Sequence, residues 1–355
     1  MKPVAPQIRI ARPPTGSDVA RAAGVSKSAV SRAFNGGLVS EDARARIFEA
    51  ARLLKYRPSL TARSLTTNRS GLIGVAITHL DNQFYPEVIE HISDRLREEK
   101  YRLVLFVTQG ATDLEPMLDE LLGYRLDGIV LASSSLAAQL ATECRESNVP
   151  VIMFNNIDPQ GRAPGVTTDN AAGAAQIARF LLAGDHRRFA IVTGIADSST
   201  SMERCASFRE TIAAAGLPEP ARVSGEYSFE GATRATLELL RGKDAPDAIF
   251  CVNDHMALAA VQAARTAGRE PGRDISIVGF DNVAIAAWPA FALTTYAQPV
   301  RQMTDNMISR LLQAIDGKPL PDETVRLPGR LIVRATARRP AGVRTDEEGV
   351  DYWEG

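Results

Sequence analysis

Lys27, Ser28 and Arg32 stand close together in the run SKSAVSRAF. Their shared chemistry is hydrogen-bond donation to electron-rich edges. Arginine and lysine suit the two acceptors that guanine shows in the major groove, and serine is permissive. Ser31 suits a phosphate oxygen instead, a contact that positions a protein on a duplex without reading its sequence. Other chemistry is poorly supplied. His79, His91, His186 and His255 show no metal-ligand spacing, and Cys144, Cys205 and Cys251 lie far apart. The chain has no Gly-x-Ser-x-Gly elbow, no phosphate-cradling loop ending in Gly-Lys-Ser/Thr and no Gly-x-Gly-x-x-Gly fingerprint. Its many carboxylates read better as solvated surface than as a catalytic dyad. A protein that is not an enzyme, with no catalytic residues, metal or cofactor, is expected.

The donor side chains need a scaffold that presents them together. Thr15 and Asp18 have the spacing of a capping box, which starts a helix just ahead of Val19 and Ala20, and Gly24 suits the left-handed residue that ends it. Ser26 caps a second helix over Lys27 to Phe34, closed by Asn35-Gly36-Gly37. Ser40 caps a third from Glu41 to about Leu54, with Ile47, Ala51 and Leu54 on one face, while Val19, Val25, Val30 and Phe34 oppose them. Two short helices joined by a tight glycine-containing turn, with a third across them, make a helix-turn-helix unit whose second helix enters the major groove. Charge agrees. Residues 1–69 carry 13 Lys+Arg against 4 Asp+Glu, a balance of +9, whereas the whole chain stands at -1, which leaves -10 for the remainder. A basic head on an acidic body suits a protein that displaces counterions from nucleic acid.

The rest of the 355 residues is built differently. At 45% hydrophobic and 23% charged, the chain is expected to fold, with length for about two domains and a sizeable core. No apolar run reaches the ~18 residues of a membrane span. Met1 to Pro14 holds basic residues and prolines rather than an apolar signal segment, and the few cysteines suit a cytoplasmic location. From Gly71 onward β-rich runs alternate with amphipathic stretches. The runs are Leu72–Ile77, Leu103–Val107, Gly128–Leu131, Val151–Phe154, Phe189–Thr193, Ala248–Val252 and Ile275–Phe280; the stretches include Val88–Glu99, Ala171–Ala183 and Ala257–Ala267. This alternation implies parallel sheets in an α/β fold, and the strand number implies two successive Rossmann-like subdomains.

The run DVARAAGVSKSAVSRAFNG, followed by VSEDARARIFEAARLLKYRPSLTARSL, resembles the DNA-binding head of the lac repressor (LacI–GalR) family, and the resemblance continues to about residue 338. It implies that Lys27, Ser28 and Arg32 are the main base-reading positions. It also implies that Pro58 to Leu65 form a hinge helix that orders on operator DNA, with Leu65 wedged into the minor groove. A lone helix of about two turns is marginal in water, in keeping with a segment that folds on its partner. A wedge unstacks a base step at some cost, which a bent duplex recovers through extra contacts. Arg57, Arg63 and Arg69 flank the wedge, where they suit nearby phosphates.

The family's core is shared with periplasmic sugar-binding proteins. The resemblance implies a ligand cleft between two subdomains joined by three crossovers, here near Val166–Asp169, Tyr296–Gln298 and Leu327–Arg330, with closure around the ligand. In HLDNQFYPE, Asn82, Phe84 and Tyr85 match the family's first-loop pattern, whereas His79, Asp81 and Gln83 depart from it. Asn155 follows the fourth strand. Arg204, in ERCASF, matches the arginine that holds the effector, with Ser207 in place of the usual glycine. Tyr227, in GEYSFE, stands at a stacking position, and Asn253-Asp254 and Asp281 end strands in CVND and VGFDN. Asp and Asn exchange hydrogen bonds with vicinal hydroxyls, Arg bridges adjacent oxygens, and an aromatic face covers C–H groups. A sugar or sugar derivative is therefore the expected effector, with purines and amino-acid-like ligands as alternatives. A buried ion pair with Asp281 is the competing role for Arg204, and Trp288 is expected to pack rather than line the cleft rim.

The expected organisation is a disordered extension over 1–14, an all-α helix-turn-helix domain over 15–57, and a hinge helix and linker over 58–70. An α/β core of two Rossmann-like, periplasmic-binding-protein-like subdomains follows over 71–338. The N-subdomain takes about 71–167 and 299–328, the C-subdomain about 168–298 and 329–338, and 339–355 is a charged tail without apolar heptads. The expected function is transcriptional regulation. A homodimer, most simply a repressor, reads the half-sites of a near-palindromic operator in double-stranded DNA, and a small-molecule effector controls it. Corepression by a purine or other metabolite, or ligand binding without operator function, are the alternatives.

Overall fold

The computed structural model describes residues 12–34, 37–57, 69–78, 80–107, 120–121, 123–132, 142–144, 146–158, 161 and 163–355, and the chain divides into two units, Met1–Gly71 and Leu72–Gly355. Residues 1–11 of the expected extension and 58–68 of the expected hinge, with Arg63 and Leu65, lie outside the described residues, as do Asn35, Gly36 and His79.

In the first unit, capping chemistry sets the helices α1 (Gly16–Ala23), α2 (Lys27–Phe34) and α3 (Glu41–Leu53). Thr15 Oγ1 accepts from the Asp18 N–H, and Asp18 Oδ2 accepts from the Thr15 N–H at 2.9 Å, a complete capping box. Gly24 closes α1 at φ 65°, where a residue with a Cβ is strained. Ser26 and Ser40 cap the next two helices through the N–H groups of Ala29 and Ala43. Val19, Ala20, Ala23, Val30, Ala33, Ile47, Ala50 and Ala51 form a small core, and Phe34 meets Phe48 and Tyr56 edge-on beside it. Leu54, expected on the inner face of α3, is its C-cap and is 36% exposed. The chain turns at Lys55 (φ 51°), so the helix stops before Leu54 joins that face.

The second unit runs β1 (Leu72–Ile77), α4 (Phe84–Glu98), β2 (Arg102–Val107), β3 (Gly128–Leu131), β4 (Val151–Phe154) and β5 (Gly165–Thr168). It continues through α5 (Asn170–Ala183), β6 (Phe189–Thr193), α6 (Ser199–Ala214), β7 (Ala221–Ser224), α7 (Phe229–Arg241), β8 (Ala248–Cys251), α8 (Asp254–Thr266), β9 (Ser276–Asp281) and β10 (Thr294–Ala297). It ends with α9 (Val300–Ile315), β11 (Val325–Leu327), β12 (Arg330–Ile332), β13 (Arg344–Thr345) and β14 (Asp351–Trp353). Sheet one, in the order β11-β5-β4-β3-β1-β2, is parallel throughout. Sheet two has the order β13-β14-β12-β10-β9-β8-β6-β7, parallel from β7 to β10 and antiparallel from β10 to β13. Helices α4 and α9 cover sheet one, and α5 to α8 cover sheet two. Strands β3, β4, β5, β8 and β9 are buried along their whole length, which explains the apolar runs of β3, β4 and β8, whereas β5 buries Thr167 and Thr168. The chain passes between the sheets after β5, after β10 and after β11.

The charged segment after residue 338 belongs to the second sheet. β13 and β14 form a hairpin that joins it through β12, with Leu331 opposite Trp353 and Ile332 opposite Tyr352. Trp353 is buried edge-on against Phe180, and its carbonyl accepts from Gln176 Nε2 at 2.6 Å. One apolar anchor and backbone pairing dock the segment, so its composition alone concealed it. No helix among the described residues is long and apolar enough to cross a membrane.

Candidate functional site

In the first unit, α2 buries Val30 and Ala33 and exposes Lys27, Ser28, Ser31 and Arg32. Its first turn holds no acid, so the exposed face is cationic. Ser28 Oγ lies 2.9 Å from Ser26 Oγ. The Gly37 N–H donates to the Arg32 carbonyl at 2.8 Å, and a Cβ on Gly37 would come to 3.0 Å from Arg32 Cβ. Glycine thus lets the chain fold back tightly against the end of α2. Arg57 is also exposed.

In the second unit, a cavity of about 50 Å³ lies where loops leave the carboxyl ends of the parallel strands, the usual ligand position in open α/β sheets. Thr78, Asn82, Phe84 and Tyr85 follow β1, Ala132 follows β3, and Asn155 and Asn156 follow β4. From the other subdomain come Ile195, Ser198, Thr200, Arg204, Tyr227, Asn253 and Asp281. Eight of the nine effector positions inferred from the resemblance therefore meet at one cavity.

Arg204 is 2% exposed, with its guanidinium carbon 3.7 Å from the centroid of the Phe280 ring. Nε donates to Asn170 Oδ1 at 2.8 Å and Nη1 to the Val252 carbonyl at 2.6 Å, while Asp281 Oδ1 lies 3.8 Å from Nη1. Nη2 is buried without a partner. The ion pair weighed for Arg204 is present, and Nη2 remains an unpartnered donor on a residue that lines the cavity. Burial draws its pKa down against the pull of Asp281. Burial likewise pushes the Asp281 carboxyl up, with Arg204 acting the other way. Asp281 sits at φ 141°, a strained value for a residue with a Cβ, and Gln298 Nε2 donates to its Oδ1 at 2.6 Å.

Four asparagines complete the polar lining. Asn253 Oδ1 caps α8 through the Met256 N–H at 3.0 Å, which leaves its buried Nδ2 without a partner. Asn156 Oδ1 accepts from Ser199 Oγ and the Ile157 N–H, and its Nδ2 is unpartnered, as is Asn155 Oδ1. Asn82 Oδ1 accepts from the Phe84 N–H at 3.1 Å and so shapes the first loop. The Tyr85 hydroxyl donates to the Ala132 carbonyl at 2.8 Å, and burial pushes its pKa up. The Tyr227 hydroxyl lies 2.7 Å from Ser198 Oγ, and its ring covers Gly194, where a Cβ would come to 2.2 Å from Cζ.

Two expectations fail. Asp254 does not line the cavity: its Oδ1 accepts from Thr295 Oγ1 at 2.5 Å and its Oδ2 from the Val283 N–H at 2.9 Å. As the first residue of α8 it ties that helix to β10 and to the loop after β9, beside Gly279, where a Cβ would lie 2.1 Å from Asp254 Oδ1. Trp288 is 57% exposed, neither packed nor at the cavity, because it follows the short 3-10 turn Ala284–Ala287 on the surface. Asn156, Ser198 and Thr200 were missed. Ser198 had a legible signal, since it caps α6 through the Ser201 N–H. Among the described residues, no group of three His, Cys, Asp or Glu side chains is placed to hold a metal.

Comparison with known proteins fits this arrangement. Residues 16–59 match the family described as bacterial regulatory proteins, lacI family, and residues 178–337 match the periplasmic binding protein-like domain. The chain is 32% identical over 329 residues to the ribose operon repressor of Escherichia coli (strain K12), covering 91% of this chain and 99% of that one. It is 30% identical over 333 residues to the HTH-type transcriptional repressor PurR of Photobacterium profundum, covering 91% and 98%. The crystal structure of the lac repressor dimer bound to operator and the anti-inducer ONPF superposes with a TM-score of 0.82 at 26% identity, covering 92% of this chain and 100% of that one.

Proposed function

Because the chain belongs to the lacI family of bacterial regulatory proteins, DNA-binding regulators of transcription, we propose that it is a repressor that binds a near-palindromic operator as a homodimer and releases it when a sugar or sugar derivative occupies the core cleft. Lys27, Ser28 and Arg32 read bases, Ser31 and Arg57 meet phosphates, and the hinge residues Arg63 and Leu65 complete the DNA contact. The observation that carries the effector assignment is the set of buried, unpartnered atoms around one cavity: Arg204 Nη2, Asn156 Nδ2, Asn253 Nδ2 and Asn155 Oδ1, beside Asp281. Each such atom costs about 1–3 kcal/mol when unmet. A polyhydroxylated ligand meets donors and acceptors together, since each hydroxyl both gives and takes. The name of the ribose operon repressor supports a sugar, and corepression by a purine or other metabolite is the second reading.

A cavity of about 50 Å³ holds a few waters, so a monosaccharide enters by widening the cleft about the crossovers. That requirement links occupancy to subdomain orientation, and only a difference in affinity between orientations moves the equilibrium. Two measurements test the function on the full chain. Selection from random duplexes should enrich a near-palindromic site, and thermal unfolding against sugars, sugar acids, polyols and nucleobases should single out a sugar class. At about 100 times its dissociation constant such a ligand adds about 2.7 kcal/mol. Enrichment of no site would end the operator reading, and a response to nucleobases alone would replace the sugar with a purine.

A further inference from the structure

Behind the cavity, Arg204 is held by a chain of side chains that crosses the hinge. Asn170 is fully buried at the start of α5, just past the first crossover, and its Oδ1 accepts from Arg204 Nε at 2.8 Å. Its Nδ2 donates to Thr167 Oγ1 and to Glu203 Oε2, each at 3.2 Å. Glu203, next to Arg204 on α6, is gripped by both ends of the Arg326 guanidinium, at 3.0 Å from Nη1 to Oε2 and 2.6 Å from Nη2 to Oε1. Arg326 lies on β11 of sheet one, whereas Asn170 and Glu203 stand on helices that cover sheet two. The bidentate pair therefore bridges the subdomains. An ionised carboxylate only accepts hydrogen bonds, so Glu203 draws the Asn170 nitrogen toward itself and leaves the amide oxygen facing Arg204.

We propose that Arg326, Glu203 and Asn170 are a relay that couples the placement of the Arg204 guanidinium to the relative orientation of the two subdomains. The proposal rests on the effector-cleft reading only for what the coupling serves; the relay itself rests on contacts within the chain. A rotation that pulls Arg326 away from Glu203 releases the Asn170 amide, and with it the partner of Nε. An occupant that draws Arg204 into the cavity acts on the same chain from the other end, and the two effects are reciprocal. Arg326 does not line the cavity, so it is a positioning residue. Its side chain is 40% exposed and that of Glu203 26%, which makes the pair weak enough to break during closure and opening.

The test uses the ligand-free full chain, with spin labels on Glu90→Cys of α4 and Arg234→Cys of α7 to read the distance between subdomains. The native cysteines are buried, and dilution with unlabelled chain confines the signal to distances within one protomer. Arg326→Met should change the ratio of the short- and long-distance populations about two- to fivefold, as for loss of a partly exposed pair. Arg326→Lys should recover part of that change, and Glu203→Gln should reproduce it. Arg204→Met should shift the same populations without adding to Arg326→Met in the double variant. An unchanged distribution in Arg326→Met, or shifts from Arg204 and Arg326 that add in full, overturns the relay. If Arg326→Met fails to fold, Glu203→Gln takes its place, and if Arg204→Met fails to fold, Arg204→Lys, which also lacks the Nε donor, does. Operator selection is untouched by these outcomes, so the relay and the repressor reading fail separately.

Discussion

Replacing Arg204 with methionine tests the ion pair of its guanidinium apart from the effector contact proposed for it. At an effective dielectric of about 20, unit charges 3.8 Å apart attract by about 4 kcal/mol. The substitution also removes the hydrogen bonds from Nε to Asn170 and from Nη1 to the Val252 carbonyl. Against these losses stands the desolvation that arginine no longer has to bear, and methionine keeps most of the stem's packing. Removing one partner of a buried pair costs about 3–5 kcal/mol. Burial already raises the Asp281 pKa, so the orphaned carboxyl takes up a proton more readily than an ordinary aspartate would, and the cost falls at the low end, about 3 kcal/mol. Asp281→Asn in the same background removes the uncompensated charge and should restore about half of that loss. Urea unfolding followed by tryptophan emission reads the core by itself, because both tryptophans, Trp288 and Trp353, lie in Leu72–Gly355. Losses that add in the double variant, with no recovery, would refute the ion-pair argument. The restabilised double variant should stay unresponsive to ligand, since the free Nη2 donor and the Asp281 carboxylate, both on residues that line the cavity, are gone.

Three further outcomes follow from single contacts. Lys27→Ala should alter preference at one base pair by about 1–3 kcal/mol in competition binding; equal weakening on every duplex would make Lys27 a phosphate contact. Trp353→Ala removes the anchor of the C-terminal hairpin from Phe180 and should lower core stability by about 3 kcal/mol, read by circular dichroism. An unchanged midpoint would mean that the hairpin adds nothing to the core. His186 is buried with Nε2 2.8 Å from Ser276 Oγ, while Nδ1 lies 3.3 Å from Asp247 Oδ1 without hydrogen-bond geometry. Burial lowers its pKa below the ordinary 6.5, so the fold prefers the neutral ring. That stability is fully present above the unfolded value and is lost as pH falls through it toward the folded one. Between about pH 7.5 and 5.5 the wild-type chain should therefore lose more stability than His186→Asn, and equal slopes would reject the assignment.

How far the sequence could be read depended on whether a signal was local. Thr15, Gly24, Ser26 and Ser40 act within a few residues of themselves, and the three helices of the head start and stop beside them. Most of the strands that were read are apolar runs covered on both faces, such as Val151–Phe154, while β2 was read from its apolar run although it is a largely exposed edge strand. β7 and β10 escaped for opposite reasons. Ala221–Ser224 is an edge strand whose residues stay largely exposed. Thr294 and Thr295 are buried, but through hydrogen bonds to the Arg334 carbonyl and to Asp254, a tertiary arrangement that no period reveals. The cleft residues are dispersed from Asn82 to Asp281, and the resemblance, not spacing, brought them together. It also failed between neighbours. Asn253 and Asp254 differ by one helical position, which turns the first toward the cavity and the second toward Thr295 and Val283.

The wiring of the cleft bears on how such a protein responds as well as binds. Asp281 is joined to Gln298, whose Oε1 accepts from Thr168 Oγ1 at 2.6 Å, and both of those residues flank crossovers. Arg204 is joined to Asn170, beside the first crossover. Two of the side chains at the cavity, Arg204 and Asp281, are thus bonded to residues beside the crossovers, so that under the proposed function a ligand engaging either one pulls on the hinge. On that reading, substitutions at Arg204 or Asp281 should change recognition and response together. The two should separate at Gln298, which does not line the cavity and bonds to both sides. Substitutions there should act on the coupling between states more than on contact with the ligand, which is where a difference in affinity for the two orientations would be set.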